Sequence, residues 1–179
     1  MYKSKAISLT VVLLAAMATL QAQVSAYSFS QSSVTYTPIT GGAVLATGAV
    51  DDDSYLNNPI GFNFTYNGTV YTTFSVNSNG YIAMGANIND SYSALSTGTV
   101  NDVICPLNYD LNGTASGEIR YELLGTAPNR VLVVQFANWA SYLSTGTGAG
   151  DNFNFQVRLY ETSNNVEVVY GNVVKNTTS

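Results

Sequence analysis

The sequence lacks histidine altogether and has a single cysteine among its 179 residues. Without imidazole, the usual general base near neutral pH, Ser-His-Asp and Cys-His nucleophile systems are excluded. The same absence excludes His-ligated zinc and copper sites. Cys105 cannot form an intramolecular disulfide, and because it lies in the apolar run VICPL we expect a small buried side chain rather than a reactive thiol.

Positive charge is also scarce. Six Lys and Arg side chains stand against 11 Asp and Glu, which gives a formal net charge of −5. Two of the six, Lys3 and Lys5, lie close to the N-terminus, so the rest of the chain is more acidic still. Such a chain cannot neutralise a row of phosphates, so we expect no nucleic acid and no anionic membrane surface as a partner. Cations remain candidate ligands.

Only one long apolar run occurs, and it lies near the N-terminus. Residues 6–20 are almost continuously apolar, follow the two lysines, and are followed by small residues. This is the pattern of a secretory signal peptide over residues 1–26, with cleavage after Ala22 or Ala26. The run is short for a membrane span, so we expect no membrane insertion after cleavage and a secreted or cell-surface location. Residues 27–179 have the length of a single domain.

Beyond residue 26 the pattern is that of β-strands, because apolar and polar residues alternate in short runs separated by turn-forming residues. The pairs Asn67-Gly68 and Asn79-Gly80 are typical of tight hairpin turns and predict a three-stranded meander over residues 60–84. Residues 131–136 are apolar on both faces, which predicts a central strand covered on both sides. We therefore predict an all-β fold, an antiparallel two-sheet β-sandwich that is jelly-roll-like. The alternative is a closed β-barrel.

Two stretches of the chain lack this alternation. Residues 108–117 and residues 141–152 are rich in glycine and small polar side chains. Such clusters are typical of loops, so both stretches are predicted to connect strands rather than to form them.

Several segments, taken together, resemble a known family. The runs IGFNF at residues 60–64, VNSNGYI at 76–82, CPLNYDL at 105–111 and APNRVLVVQF at 127–136 are similar to segments of a nidogen-like β-sandwich domain of secreted, Bacteroidota-type bacterial proteins. The resemblance implies a domain near the N-terminus of a large surface protein, with a role in adhesion or surface display. Family members usually continue after the final Tyr-Gly pair, so it also implies that residues 27–179 lack the last strand or strands.

One candidate metal site lies in the segment that begins at Asn108. Asn108, Asp110 and Asn112 occupy alternate positions before Gly113, which resembles the start of a calcium loop because Ca²⁺ prefers several oxygen ligands. The pattern is incomplete, since the glutamate of such a loop is replaced by Ile119. The alternative is an ordinary polar turn, for which Asn, Asp and Gly are the usual residues.

A second candidate is the run of three aspartates that includes Asp51 and Asp53. Adjacent carboxylates repel one another unless they are solvated or bind a cation. A solvated acidic loop is the alternative interpretation. If this run and Asp110 meet in the fold, calcium becomes the better interpretation of both.

Aromatic side chains are candidates for contact with a sugar. Trp139 is the only tryptophan, and Tyr142 follows it at the start of the long predicted loop. Exposed rings stack on sugar faces, so both residues are candidate ligand contacts. The alternative for Trp139 is a place in the core, because tryptophan is highly buried on average.

Catalysis without histidine would need a pair of carboxylates, as in glycosidases. The four glutamates lie on the outward side of alternating strands, where solvated side chains are usual, so we predict no enzymatic activity. The sequence therefore predicts a non-catalytic extracellular adhesion or surface-attachment module that contacts an extracellular glycan or a surface protein. The alternative is an accessory domain of a larger secreted hydrolase, which the sequence downstream of residue 179 would distinguish.

Overall fold

The computed structural model describes residues 27–86, 88–89, 100–107, 109–143 and 146–176. Within these ranges the chain forms ten β-strands and no helix. In chain order they are β1 Ala43–Thr47, β2 Ser54–Tyr66, β3 Thr69–Asn77, β4 Tyr81–Met84, β5 Val103–Ile104, β6 Leu111–Leu124, β7 Val131–Leu143, β8 Gly146–Thr147, β9 Asn152–Tyr160 and β10 Val166–Val174. The predicted signal peptide, residues 1–26, lies outside the described residues.

The strands form two antiparallel sheets. In sheet A the order is β1-β6-β7-β9-β10, with the short β8 paired to β7; in sheet B the order is β2-β3-β4-β5. The two-sheet sandwich is therefore confirmed, and the described strands do not close into one barrel. Most strands that follow one another in sequence are also neighbours in a sheet. The connections are thus two meanders rather than the two Greek keys of a jelly roll.

The core lies between the two sheets and is rich in aromatic side chains. Its largest fully buried residues are Trp139, Phe64, Phe74, Phe136 and Phe155. The rings of Phe136 on β7 and Phe155 on β9 stack with their centroids 4.7 Å apart. Burial of each such ring stabilises the fold by roughly 1.5–3 kcal/mol. The stability of this domain therefore comes from packing, because a chain with one cysteine cannot form an intramolecular disulfide.

The two predicted hairpins of sheet B form, but only one has the predicted turn. Asn67 and Gly68 both have positive φ, 54° and 78°, as a tight two-residue turn between β2 and β3 requires. Between β3 and β4 the turn is longer, and only Gly80 has a positive φ. Asn79 has an ordinary backbone conformation there, which leaves its amide side chain available for other contacts.

Both predicted loops turn out to be partly strand. Strand β6 begins at Leu111 and β7 runs to Leu143, seven residues beyond the predicted end at 136. The pairing of β6 with β7 shifts between Gly113 and Glu118, and Asn138 within β7 has a φ of 55°. Such bulges interrupt the period-two alternation, which explains why the sequence pattern did not predict these halves of the strands.

The outer face of sheet A is covered, as predicted for its central strand. Val133 and Gln135 on β7 point away from the core yet are 2% and 3% exposed. The chain preceding β1 lies over them, and Ile39 in that segment exchanges backbone hydrogen bonds with the Gln135 amide.

Candidate functional site

Three aspartates meet at one end of the sandwich. The carboxylate oxygens of Asp51, Asp52 and Asp110 all lie within 4.8 Å of one another. Two oxygens bound to the same Ca²⁺ are separated by at most about 5 Å, twice the metal–oxygen distance. The three side chains, which we call the acidic end, therefore have the spacing that a single hard cation requires.

The acidic end is assembled by a side chain that sequence reasoning assigned only to a turn. Asn79 is buried; its Nδ2 donates to Asp52 Oδ1 at 2.9 Å, and its Oδ1 accepts the backbone N–H of Leu111 at 2.9 Å. It thereby holds Asp52 beside the first residue of β6, next to Asp110. The backbone of Gly113 also donates to the carbonyl of Val50, which keeps the two acidic segments together.

The carboxylates of the acidic end perturb one another. Burial raises the pKa of the Asp51 carboxyl above its ordinary value, and the carboxylates of Asp52 and Asp110 raise it further. Burial and the charge of Asp52 likewise raise the pKa of Asp110. A bound cation or proton would relieve the part of these shifts that comes from repulsion.

The structure brings together only part of the predicted metal site. Asp53 is not part of the acidic end: its backbone N–H donates to Ser78 Oγ and its carbonyl accepts the Ser78 N–H. Asp52 takes its place. Alternate residues share a side only in a regular strand, and Asp52, with a φ of 53°, breaks that pattern.

The calcium-loop resemblance around Asp110 is only partly retained. Asn108 lies outside the described residues. Asn112 is buried within β6, paired with Ala140 of β7, so the segment is a strand rather than a loop around an ion. Packing explains why residue 113 is a glycine, because a Cβ at this position would lie 2.0 Å from the carbonyl oxygen of Gly48.

The structure also corrects the prediction for Trp139. Its side chain is fully buried, with its ring edge-to-face against Phe136 at 5.8 Å. Its indole Nε1–H donates to the carbonyl of Ser78 at 2.6 Å. The ring has no exposed face for a sugar to stack on, which agrees with the core interpretation of Trp139.

Tyr142, in contrast, is exposed and lies next to the acidic end. Its backbone N–H donates to the carbonyl of Asp110 at 2.8 Å, and 37% of the residue is accessible. Tyr109, the residue before Asp110, is exposed too, and the Lys175 ammonium lies 5.9 Å from the centroid of its ring. Two exposed aromatic residues therefore lie beside Asp110, Tyr109 as its neighbour in the chain and Tyr142 through a backbone hydrogen bond. Sequence reasoning missed Tyr109, which could have been found only by knowing that Asp110 belongs to the site.

Comparison with known proteins agrees with this architecture. The family model described as "NIDO related" matches residues 26–179. The chain belongs to the nidogen-related family. No curated protein and no solved structure matches it. Membership of this family indicates an extracellular module.

The glutamates of the nidogen-related domain lie in structural contacts. Glu118 pairs with Arg120, and Glu161 with Arg130, which lowers the pKa of both carboxyls, that of Glu161 to about 2. The remaining two are Glu167, which pairs with Arg158, and Glu122, which accepts the backbone N–H of Gly41. A general acid needs a raised pKa, so the two glutamates with lowered pKa values are unsuited to that role.

Among the residues that the structure describes, the nidogen-related domain contains no helix long and apolar enough to cross a membrane.

Proposed function

We propose that this nidogen-related domain is a non-catalytic extracellular adhesion module that binds Ca²⁺ at its acidic end and attaches there to a surface glycan or surface protein. The observation that carries the proposal is the convergence of Asp51 and Asp52 with Asp110, which lies on a separate segment, within the span of one coordination sphere. The family supports the extracellular setting, where free Ca²⁺ is plentiful.

Calcium fits the acidic end for three reasons. Its coordination sphere takes six to eight oxygens in flexible geometry, which tolerates a site built from two loops. Asp51 and Asp52 are exposed and Asp110 is half-buried, so coordination positions on the solvent side stay open to water or to hydroxyl groups of a partner. Partial burial and then repulsion between carboxylates raise the pKa values of Asp51 and Asp110, and a bound ion removes the repulsion.

A glycan is the favoured partner. A sugar offers vicinal hydroxyls to an open cation and an apolar ring face to an aromatic side chain. Tyr109 precedes Asp110 in the chain and Tyr142 on β7 is hydrogen-bonded to its carbonyl, and both aromatic residues are exposed. The scarcity of cationic side chains makes an acidic polymer a poor partner, so neutral sugars are the first to screen.

A non-catalytic role is supported by the state of the carboxylates. Glu118 and Glu161 are ion-paired with lowered pKa values, so neither can serve as a general acid near neutral pH. The carboxyls with raised pKa values, Asp51 and Asp110, belong to the acidic end and can be occupied by the cation.

The first experiment is thermal unfolding of residues 27–179 in excess Ca²⁺ and in EDTA. A ligand that binds only the folded state stabilises it by about 2.7 kcal/mol at 100 times its Kd. For a domain of this size that corresponds to a rise in Tm of roughly 5–10 °C. Absence of any difference between the two conditions, in a cooperative transition, would refute the calcium site.

Two matched variants test whether the Ca²⁺-dependent rise in Tm comes from the acidic end. Asp52→Asn removes one charge from the acidic end while keeping the side-chain shape and a residue type that tolerates positive φ. Asp53→Asn removes the charge of the adjacent aspartate, which lies outside the site. We expect Asp52→Asn to abolish most of the Ca²⁺-dependent rise and Asp53→Asn to retain it. Equal effects of the two variants would indicate diffuse charge screening instead of a site.

Glycan attachment is tested separately on a sugar array. Binding of a neutral sugar in Ca²⁺ should disappear in EDTA and weaken in Tyr142→Ala. Sugar binding that is insensitive to both changes would place the ligand elsewhere on the domain, and a shortened sugar product would contradict the non-catalytic assignment.

A further inference from the structure

A short extended segment crosses the outer face of sheet A at an angle to its strands. This segment, residues 36–41, which we call the strap, passes from β10 over β9 and β7 to β6. The ring of Tyr36 lies where a Cβ on Gly171 of β10 would be, at 2.8 Å. Further along, the strap contacts Gln156 of β9 and Gln135 of β7. It belongs to neither sheet.

The face under the strap recognises peptide backbone. Gln156 Nε2 donates to the carbonyl of Thr37 at 2.8 Å; Gln135 accepts the N–H of Ile39 at 2.9 Å and donates to its carbonyl at 3.3 Å. The two glutamine amides also hydrogen bond to each other at 2.9 Å and are 0% and 3% exposed. This buried pair of amides forms a seat that one extended strand occupies.

The C-terminal end of the strap, next to β1, is also held through its backbone. Arg120 Nη1 of β6 donates to the carbonyls of Thr40 and Gly41, and Glu122 accepts the N–H of Gly41. Every one of these contacts uses main-chain atoms of the strap. Ile39 adds the one buried apolar side chain, 8% exposed.

The strap can leave its seat without disturbing a strand. It precedes β1, whose pairing with β6 begins only at Ala43. Gly42, with a φ of 75°, lies between the strap and β1. On the other side, residues 27–35 are exposed, and their one described contact with a sheet is Tyr27, whose hydroxyl accepts the Asn67 N–H at 3.0 Å and whose ring lies 5.7 Å from that of Tyr66. Exchange of the strap therefore also requires this contact to break. Removing the strap breaks side-chain-to-backbone hydrogen bonds and uncovers Val133, but it leaves both sheets paired.

We propose that the seat on sheet A also accepts the strap of a second copy of this chain, so that two domains associate by exchanging straps. An identical strap makes identical contacts in the partner's seat, so exchange costs little beyond the loss of independent motion of the two chains. The hinge is Gly42, between the strap and β1. The proposal uses none of the residues of the acidic end and is independent of the calcium-dependent function.

The test is complementation between two monomer-forming variants of residues 27–179. Ile39→Pro disables the strap, because it removes the N–H that Gln135 accepts and the apolar anchor. The pair Gln135→Ala and Gln156→Ala in one chain disables the seat, because it removes all three amide hydrogen bonds. Each variant should be monomeric by light scattering, whereas an equimolar mixture should form a one-to-one heterodimer. A mixture that stays monomeric at concentrations where the wild type dimerises would overturn the proposal, as would a wild type that never dimerises.

A labelled peptide of residues 33–41 gives an independent measurement. It should bind the Ile39→Pro chain and bind the chain with the disabled seat at least ~10-fold more weakly, the effect of one or two net hydrogen bonds. Equal binding of a scrambled peptide would contradict recognition of a second copy in favour of general peptide binding.

A third arm covers the outcome in which the variants do not fold cooperatively. Chains with an unchanged strap and seat can be labelled with donor or acceptor dyes through the substitution Ser30→Cys, because Ser30 is exposed. The native Cys105 should react much more slowly, because burial raises the pKa of its thiol to about 11. Energy transfer should appear on mixing and disappear with excess strap peptide. Transfer that the peptide leaves unchanged would show a different interface.

Discussion

Replacing Trp139 by Phe tests whether the single tryptophan connects the two sheets. Trp139 lies on β7 of sheet A, and its indole N–H donates to the carbonyl of Ser78, in the turn between β3 and β4 of sheet B. Phe retains an aromatic ring against Phe136 but has no donor. The substitution therefore removes one inter-sheet hydrogen bond and part of a fully buried ring while leaving the aromatic cluster in place.

The expected loss of stability has two parts. The Ser78 carbonyl would remain buried without its partner, which costs roughly 1–3 kcal/mol. The smaller ring leaves a void at least the size of a methyl group, which costs about 1 kcal/mol more. A total of roughly 2–4 kcal/mol corresponds to a fall in Tm of roughly 5–15 °C for a domain of this size.

The assay is thermal unfolding followed by circular dichroism, because the variant has no tryptophan fluorescence. Tyr142→Phe is the control: it also removes a polar atom from an aromatic residue of β7, but the residue is exposed, so a change within about 0.5 kcal/mol is expected. A Trp139→Phe variant as stable as the control would refute the inter-sheet connection. A loss of sugar binding at unchanged stability would instead restore Trp139 as a ligand contact.

Three further predictions concern other sites. The pKa of Glu161 is lowered to about 2 by Arg130, so this pair stabilises the fold fully above about pH 4.5 and loses its effect as the pH falls towards 2. The difference in Tm between wild type and Glu161→Gln should follow that window, and a difference that persists at about pH 2 would contradict it. The thiol of Cys105, with its pKa raised by burial to about 11, should react with a thiol reagent at neutral pH only after unfolding; rapid reaction of the folded protein would show an accessible thiolate. Gly113→Ala places a Cβ 2.0 Å from the carbonyl oxygen of Gly48 and should lower the Tm more than Trp139→Phe does, whereas a wild-type Tm would mean that this loop moves aside freely.

Sequence reasoning succeeded where the period-two pattern is unbroken. It predicted the meander of sheet B, the hairpin turn at Asn67–Gly68 and the covered central strand β7. It failed at bulges. Strands β6 and β7 each shift register once, near Gly113 and Asn138. In β7 the core residues are even-numbered up to Phe136, whereas beyond the shift the core residue is the odd-numbered Trp139. A pattern that depends on strict alternation cannot continue across such a point.

The candidate site was predictable in its chemistry but not in its membership. Carboxylates at Asp51 and Asp110 were predicted as ligands, and whether the two segments meet depended on long-range contacts. Those contacts run through Asn79, which bonds to Asp52 and to the backbone of Leu111, 32 residues away. The same dipeptide, Asn-Gly, forms a tight turn at residues 67–68, whereas at residues 79–80 the asparagine side chain links Asp52 to the backbone of Leu111. The two differ in turn length, in the φ of the asparagine and in burial, and all three depend on the tertiary structure.

The acidic end and the inter-sheet core are joined at one turn, and this has a thermodynamic consequence. Ser78 accepts the Trp139 indole through its carbonyl and donates its N–H to the carbonyl of Asp53, while the next residue, Asn79, holds Asp52. A cation at the acidic end would therefore restrain the same turn that connects sheet B to sheet A. Because the turn cannot open without breaking the inter-sheet hydrogen bond, binding there should stabilise the whole sandwich and not only a loop. The Ca²⁺-dependent stabilisation should accordingly appear in the global unfolding transition, with no separate loop transition preceding it.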